Sequence, residues 1–237
     1  MPTEQTISFN VDGYQLAGTL HLPDTTKPAV VIGCHGLLAD RNSPKQISLA
    51  SACNQKGMAY FRFDHRGCGD SQGEFSKVTT LAARRQDLYH AVQTMQHQSE
   101  VGPLAALFGS SFGGTVVLAY AAIHPSPTLI TYAAPINSAE IQRAKIRDNN
   151  GQSPPADLLP EALAFDIAPD IHNVDNILVA HSRNDETVPV EHAHQIYKMV
   201  KNPKDLLIFE GGDHRMSDSA HQKEFERKFI QWLTQSQ

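Results

Sequence analysis

The residues whose types and spacing could do chemistry are centred on positions 109–113, which read Gly-Ser-Ser-Phe-Gly. An apolar run precedes this pentapeptide and a run of small residues follows it, a pattern that predicts a strand, a sharp turn and a helix. In a G-x-S-x-G turn at such a junction, the central serine is pushed out above the sheet. Ser111 is therefore the candidate nucleophile, and Ser110 fits this geometry less well.

A serine hydroxyl needs a base, and the base needs a carboxylate that holds its tautomer and stabilises its protonated form. His214 lies in a glycine-rich loop after the last predicted strand, and Asp185 lies in the loop after the strand before it. The alternatives are a solvated loop histidine and a turn aspartate, and Glu186 is a rival for the acid. The pattern predicts a triad whose chain order, serine, aspartate, histidine, differs from that of chymotrypsin-like and subtilisin-like proteases.

The dipeptide His35-Gly36 follows another predicted buried strand. Its imidazole is either a second base or a group that braces the loop; we favour bracing, and we place His35 among the substrate-binding residues. The backbone N–H groups of Leu37 and Phe112 are the candidate oxyanion donors, because an oxyanion hole uses the residue after the nucleophile and the loop after the third strand.

The composition argues against several classes of partner and cofactor. A net charge of -5 leaves no basic face for nucleic acid or anionic lipid, and the 12 histidines lack the spacing of a zinc site, so we expect no metal and no other cofactor. The sequence shows no leader pattern and no membrane span, which predicts a cytoplasmic chain. Cys34, Cys53 and Cys68 lack motif spacing and are expected to be reduced thiols in or near the core.

The apolar pattern predicts strands that alternate with helices. A hairpin over residues 6–22 is followed by strands at 29–34, 59–63, 104–108, 128–134, 177–180 and 206–209. Helices are expected at about 43–57, burying Ile47, Leu49 and Ala50, and at about 80–97. The alternation predicts one α/β domain over residues 1–237, with a mostly parallel, eight-stranded sheet and helices on both faces. Ligands are expected at the carboxyl ends of the strands.

Residues 136–176 interrupt this alternation with a stretch rich in Pro and Asn that contains no predicted strand. So long a stretch predicts a small cap over the site, with a short helix at 139–147 and with Leu159 and Phe165 in the substrate-binding pocket. The alternative is a surface excursion that buries only its own apolar side chains.

Five motifs in this order resemble those of the α/β-hydrolase superfamily, and the resemblance covers nearly the whole chain. The motifs are His35-Gly36, residues 64–71, residues 109–113, residues 185–189 and residues 212–214. The Asp-x-Arg-Gly-x-Gly-x-Ser turn at 64–71 and the short cap are similar to the serine-aminopeptidase-like and acylglycerol-lipase-like hydrolases. That group includes bacterial carboxylesterases and cinnamoyl (feruloyl) esterases. The cap lacks an acidic pair that could grip a peptide amino terminus, a departure that weighs against peptidase activity.

These observations predict a serine hydrolase of the α/β-hydrolase fold that cleaves small-molecule carboxylic esters through an acyl-enzyme. Ser111 would attack, His214 would move the proton and Asp185 would orient His214. Two alternatives are peptidase or thioesterase chemistry on the same triad and a catalytically silent binding module. A homodimer is compatible with the sequence, whereas a nucleic-acid partner is not expected.

Overall fold

The computed structural model describes residues 3–125, 127–139 and 163–235. Its strands form one eight-stranded sheet in the order β1-β2-β4-β3-β5-β6-β7-β8. β2 is antiparallel to both of its neighbours, β1 and β4, and the other pairs are parallel. The strands are β1 Thr3–Val11, β2 Tyr14–Leu22, β3 Val30–Cys34, β4 Ala59–Phe63, β5 Leu104–Ser110, β6 Leu129–Tyr132, β7 Ile177–Ser182 and β8 Lys204–Phe209. The α/β-hydrolase fold and its antiparallel edge hairpin are thereby confirmed.

Helices cover both faces of this sheet. α1 and α6 pack on one face, where their apolar side chains join one core cluster, and α3, α4 and α5 pack on the other. The helices are α1 Pro44–Gln55, α2 Phe75–Val78, α3 Leu81–Gln96, α4 Phe112–Ala121, α5 Glu191–Met199 and α6 Ser219–Gln235, and a 3-10 turn spans Ile171–Asn173. The two cores follow from strand alternation: in β5, Leu107 joins the α3–α5 side while Ala106 and Phe108 join the α1–α6 side.

Two details of the sequence prediction are wrong. Ile47 is 46% exposed, because the inward stripe of α1 begins at Gln46, which is 1% exposed and accepts a hydrogen bond from Tyr60 Oη at 2.6 Å. Ile47 is therefore turned about 100° away from that stripe. β6 ends at Tyr132, two residues early, because Ala133 takes a left-handed φ of 53° that extended strands do not contain.

Other expectations concern the membrane, metals and cysteines. Over the described ranges, no helix combines the length and apolarity needed to cross a bilayer. Those same ranges contain no group of three or more His, Cys, Asp and Glu side chains that could hold a metal ion. Cys34, Cys53 and Cys68 are buried free thiols, as expected. The predicted helix at 139–147 lies, apart from its first residue, outside the described residues.

Candidate active site

The turn between β5 and α4 places Ser111 above the carboxyl edge of the sheet. Ser111 adopts φ 54° and ψ -126°, a strained conformation for a residue with a side chain, and it immediately precedes α4. The turn is tight because glycines flank it: a Cβ added to Gly109 would lie 2.2 Å from the carbonyl oxygen of Gly113. A Cβ on Gly113 would lie 2.3 Å from the carbonyl oxygen of Cys34. The sequence therefore needs glycine at both positions to form this elbow.

The three side chains predicted as a triad lie in one hydrogen-bonded row. His214 Nε2 is 3.0 Å from Ser111 Oγ, and His214 Nδ1 is 2.8 Å from Asp185 Oδ2. With Nδ1 donating to the carboxylate, Nε2 is left to accept the proton of the serine hydroxyl. This arrangement can deprotonate Ser111 and hold the resulting imidazolium against a carboxylate.

The carboxylate of Asp185 is buried, with 0% of its side chain exposed, and four donors surround it. Oδ1 accepts the backbone N–H groups of Thr187 at 2.9 Å and Val188 at 2.8 Å. Oδ2 contacts His214 and, at 3.3 Å, the Nε2 of His181, which is itself fully buried. Burial by itself would raise the pKa of Asp185, but the hydrogen bonds from His181 and His214 outweigh it and hold that pKa below its ordinary range. Asp185 is therefore ionised at neutral pH.

The loop that carries His214 must reach across the sheet. β5 and β8 are separated by β6 and β7, so their ends lie roughly 14 Å apart at about 4.8 Å per strand. Gly211 and Gly212 adopt left-handed φ values of 76° and 75°, which lets the chain turn back over the strands. Tyr132 at the end of β6 then anchors the loop, because its hydroxyl donates to the carbonyl oxygen of Asp213 at 2.9 Å.

The two rivals considered in the sequence lie elsewhere. Glu186 is exposed, and its carboxylate accepts the backbone N–H of His214 at 3.0 Å rather than a ring nitrogen. Ser110 Oγ accepts a hydrogen bond from Lys45 Nζ at 3.2 Å, and the described residues include no imidazole bonded to it. The structure therefore brings His214 together with Ser111 and Asp185 and leaves Ser110 and Glu186 at the periphery.

The two predicted oxyanion donors belong to residues that lie close to Ser111. Gly36 packs closely enough that a Cβ added there would meet Ser111 Cβ at 3.4 Å, so the Leu37 amide follows directly beside the serine. Phe112 is the first residue of α4, where helical N–H groups have no carbonyl partner within the helix. Neither amide has an acceptor among the described residues. Both are free to bind an oxygen atom.

Of the predicted substrate-binding residues, Phe165 lies beside the elbow, His35 lies beneath it and Leu159 lies outside the described residues. The half-buried Phe165 packs its ring 5.4 Å from the ring of Phe112. His35 is 1% exposed and hydrogen-bonds through both ring nitrogens, to the Gly36 carbonyl and the His65 N–H. That geometry corresponds to the bracing role and leaves the imidazole no free polar atom for a substrate.

Sequence reasoning missed three side chains around this site. His181 contacts Asp185, Arg84 on α3 binds the loop after β3, and Lys45 at the start of α1 contacts Ser110. A signal for Arg84 was present: it lies three residues after Leu81 and four before Leu88, so it is a cation on the inward stripe of a helix. His181 likewise stands in a continuously buried strand.

The sheet, the strained serine turn and the residues at the strand ends define an α/β-hydrolase. A sequence profile of the family described as serine aminopeptidase, S33, matches residues 25–148, over half of the chain, and the chain belongs to this family. In fold it is similar to the esterase domain of a Rhodothermus marinus protein, with a TM-score of 0.75, 23% identity and 98% of each chain covered.

Two further proteins are similar to this chain. Est1E from Butyrivibrio proteoclasticus, solved with ferulic acid bound, has a TM-score of 0.77 at 21% identity, covering 96% of this chain and 99% of its own. The mitochondrial palmitoyl-protein thioesterase ABHD10 of Rattus norvegicus is 24% identical over 217 residues, 80% of this chain and 70% of its own length. The structural similarities show the fold, and the family supports a hydrolase.

Proposed function

We propose that this chain is a serine hydrolase that cleaves small carboxylic esters through an acyl-enzyme on Ser111. The observation that carries the proposal is the row of contacts at 3.0 Å and 2.8 Å from Ser111 Oγ through His214 to Asp185. Side chains so arranged form the nucleophile, base and orienting acid of acyl transfer. The ferulic acid bound to Est1E, a protein of similar fold, favours an aromatic acid as one product.

The proposed reaction has an acylation step and a deacylation step. Ser111 Oγ forms a bond to the ester carbonyl carbon while its proton passes to His214 Nε2, and the carbonyl oxygen becomes an oxyanion held by the Leu37 and Phe112 amides. The C–O bond to the alcohol breaks, and the leaving oxygen takes the proton from His214. Water then attacks the acyl carbon while His214 takes one of its protons; the bond from that carbon to Ser111 Oγ breaks, and Oγ takes the proton back from His214 as the acid leaves.

The test is hydrolysis of p-nitrophenyl esters and methyl ferulate, together with labelling by a small organophosphate. We expect Ser111→Ala to lower kcat/KM by about 10⁴-fold or more and to abolish labelling. The matched control is Ser110→Ala, which removes only the contact with Lys45 and should keep most of the activity. If both variants lose the same fraction of kcat/KM, Ser111 is not the nucleophile. If the parent is not labelled, the catalytically silent binding module is favoured instead.

Thioester hydrolysis is the second candidate, favoured by the similarity to the palmitoyl-protein thioesterase ABHD10. The same nucleophile, base and oxyanion donors serve esters and thioesters, so substrate preference decides between them. Acyl-CoA thioesters and p-nitrophenyl esters of matched chain length should be compared on the parent enzyme. An aminoacyl p-nitroanilide in the same series tests peptidase activity.

A further inference from the structure

In the loop after β3, one carbonyl oxygen, that of Gly36, accepts several hydrogen bonds. This oxygen accepts a hydrogen bond from His35 Nδ1 at 2.7 Å, one from Arg84 Nη1 at 3.2 Å and a longer one from the Ala39 N–H at 3.4 Å. His35 Nε2 accepts the N–H of His65 at 3.1 Å, so the ring proton must sit on Nδ1. Two side-chain donors therefore converge on a single backbone oxygen.

Arg84 is an unusual buried cation. Its side chain is 0% exposed, and its guanidinium donates to the carbonyl oxygens of Gly36 and, at 2.9 Å, Leu37, and to the Cys68 thiol. Within the described part of the chain it forms no ion pair with a carboxylate. Arg66, which is nearly as buried, instead pairs with Asp87 at 2.7 Å. Since a buried charge needs compensation, the loop carbonyls take the place of a carboxylate at Arg84.

The direction of these bonds fixes the direction of the Leu37 amide. In a trans peptide the carbonyl and the N–H of the same unit point in opposite directions, and the Gly36 carbonyl shares its peptide unit with the Leu37 N–H. Donors that hydrogen-bond to the Gly36 carbonyl on one side of the peptide unit therefore orient the Leu37 N–H toward the other side. They also polarise the unit, because hydrogen bonds in a chain strengthen one another. The Leu37 N–H has no acceptor among the described residues, so it is left for a bound oxygen.

Arg84 also contacts the residue that supplies the second amide. Its guanidinium carbon lies 5.3 Å from the centre of the Phe112 ring, within the range of a cation–π contact. One buried side chain therefore touches both residues whose N–H groups flank the serine. It also brings a positive charge close to them: burial lowers the pKa of His35, and the charge of Arg84 lowers it further.

We propose that Arg84 is the positioning residue of the oxyanion hole: with His35 it locks the Gly36 carbonyl, aims the Leu37 N–H at the developing oxyanion and sets a buried positive charge behind that site. The inference deepens the proposed acyl-transfer function and rests on it. Arg84 does not touch the substrate, so it acts through the two amides. Its removal should weaken binding of the transition state more than binding of the ester.

The experiment compares Arg84→Met and Arg84→Lys with the parent and with Arg66→Lys. Arg66 is the matched control, since it is a buried arginine whose guanidinium pairs with Asp87 on α3 and with Asp12, and it does not hydrogen-bond to Gly36 or Leu37. For each protein, kcat and KM are measured on p-nitrophenyl acetate, and the inhibition constant is measured for an aryl trifluoromethyl ketone. Ser111 Oγ adds to the carbonyl carbon of this ketone, and the resulting oxyanion occupies the oxyanion hole.

We expect Arg84→Met to lower kcat by about 10²-fold with little change in KM, because losing one oxyanion donor costs about 10²–10³. The inhibition constant of the ketone should rise by a similar factor. Arg84→Lys retains the charge but lacks the fork that reaches two carbonyls, so its loss should be smaller. Arg66→Lys should leave the ratio of ketone affinity to ester KM as in the parent.

The proposal is overturned if Arg84→Met keeps kcat within about threefold of the parent, a change too small for a lost oxyanion donor. It is also overturned if its loss is confined to KM, or if Arg66→Lys shows the same loss of ketone affinity. Should Arg84→Met fail to fold, Arg84→Lys and His35→Gln carry the same test, since His35→Gln removes the other side-chain donor to Gly36. If the parent neither hydrolyses esters nor is labelled by an organophosphate, both the proposed function and this inference are wrong. If the parent is active but substitution of Arg84 has no effect, only this inference is wrong.

Discussion

Asp185 illustrates how a single residue is prepared for one role by its surroundings. Two backbone amides and two imidazoles donate to a carboxylate that water does not reach, so the charge is stable although it is buried. His181 Nε2 lies 2.9 Å from the Val188 carbonyl oxygen and 3.3 Å from Asp185 Oδ2, so it links the carboxylate to the backbone of its own loop. These contacts therefore fix both the charge and the orientation of the Asp185 carboxylate.

The first residue-scale prediction separates Asp185 from its neighbour. Asp185→Asn should lower kcat by about 10³–10⁴-fold, because an amide no longer selects the His214 tautomer with Nδ1 protonated. The control, Glu186→Gln, keeps an oxygen for the His214 backbone N–H and should stay close to the parent. Steady-state kinetics on one ester suffice. If Glu186→Gln lowers kcat strongly and Asp185→Asn does so only slightly, the triad carboxylate is Glu186 and not Asp185.

Lys45 is the second residue whose environment predicts a measurable effect. Its amine lies 3.8 Å from the centre of the Tyr132 ring and 3.2 Å from Ser110 Oγ, and burial lowers its pKa to about 7 even though Asp185 and Asp213 act in the opposite direction. In the unfolded chain a lysine has a pKa near 10.4. Between these values the unfolded state binds more protons, so the cost of burying the charge is full below about pH 7 and fades as the pH rises toward 10.

Lys45→Met should therefore raise the free energy of unfolding at pH 6, by on the order of 1 kcal/mol because water still screens the half-buried amine. The gain should shrink steadily in urea titrations at pH 7.5 and pH 9. Lys56→Met, at the exposed carboxyl end of α1, is the control and should give no such trend. A gain that is constant or grows with pH would contradict the assigned shift.

At the scale of elements, the junction of β5 and α4 leaves no room for a side chain at Gly109. An added Cβ would meet backbone atoms of Gly113 at 2.2 Å and Gly114 at 2.5 Å, and backbone cannot yield as a flexible side chain does. Gly109→Ala should lower the free energy of unfolding by about 3 kcal/mol, the upper end of overpacking costs, and should reduce kcat by displacing Ser111.

The control for Gly109→Ala is Gly13→Ala in the β1–β2 turn. There an added Cβ meets nothing within 4 Å, but the φ of 85° remains unfavourable, so about 1 kcal/mol is expected. Urea unfolding measures both variants. If both variants lower the free energy of unfolding equally, the backbone around Gly109 moves to make room for the Cβ. In that case the glycines do not fix the position of Ser111.

The sequence was sufficient to locate the eight strands and helices α1, α3 and α4, because their signals are local. Each apolar run and each glycine turn depends on only a few neighbouring residues, so it can be recognised in the sequence alone. Arg84 binds the loop at Gly36, 48 residues away in sequence, and such a contact leaves no local pattern beyond a cation on an apolar helix face. Ile47 was misplaced for a related reason, since the partner that makes Gln46 an inward residue, Tyr60, lies on another element.

At the scale of the whole molecule, parallel strands collect residues that are far apart in sequence at one edge of the sheet. Ser111 and His214 are 103 residues apart, yet they meet because β5 and β8 point the same way. The start of the proposed cap pairs with a later part of the same segment: Asn137 and Asp166 form an antiparallel bridge, and Ile167 N–H donates to the Ile136 carbonyl at 2.9 Å. This pairing sets Phe165 against the elbow.

The last prediction concerns what Phe165 does there. If the segment it belongs to shapes the acyl pocket, Phe165→Ala should change the relative kcat/KM of p-nitrophenyl acetate against methyl ferulate, by up to about 10–200-fold. Labelling of Ser111 by a small organophosphate should stay near that of the parent, because the ring packs against Phe112, the residue after the proposed nucleophile, and has no part in the proposed reaction. Tyr197→Ala is the control, since Tyr197 packs under Lys204 at the first residue of β8, at the opposite edge of the sheet. Should Phe165→Ala lower Tm as Tyr197→Ala does and leave the ester preference unchanged, Phe165 only fills space and the cap is a surface excursion.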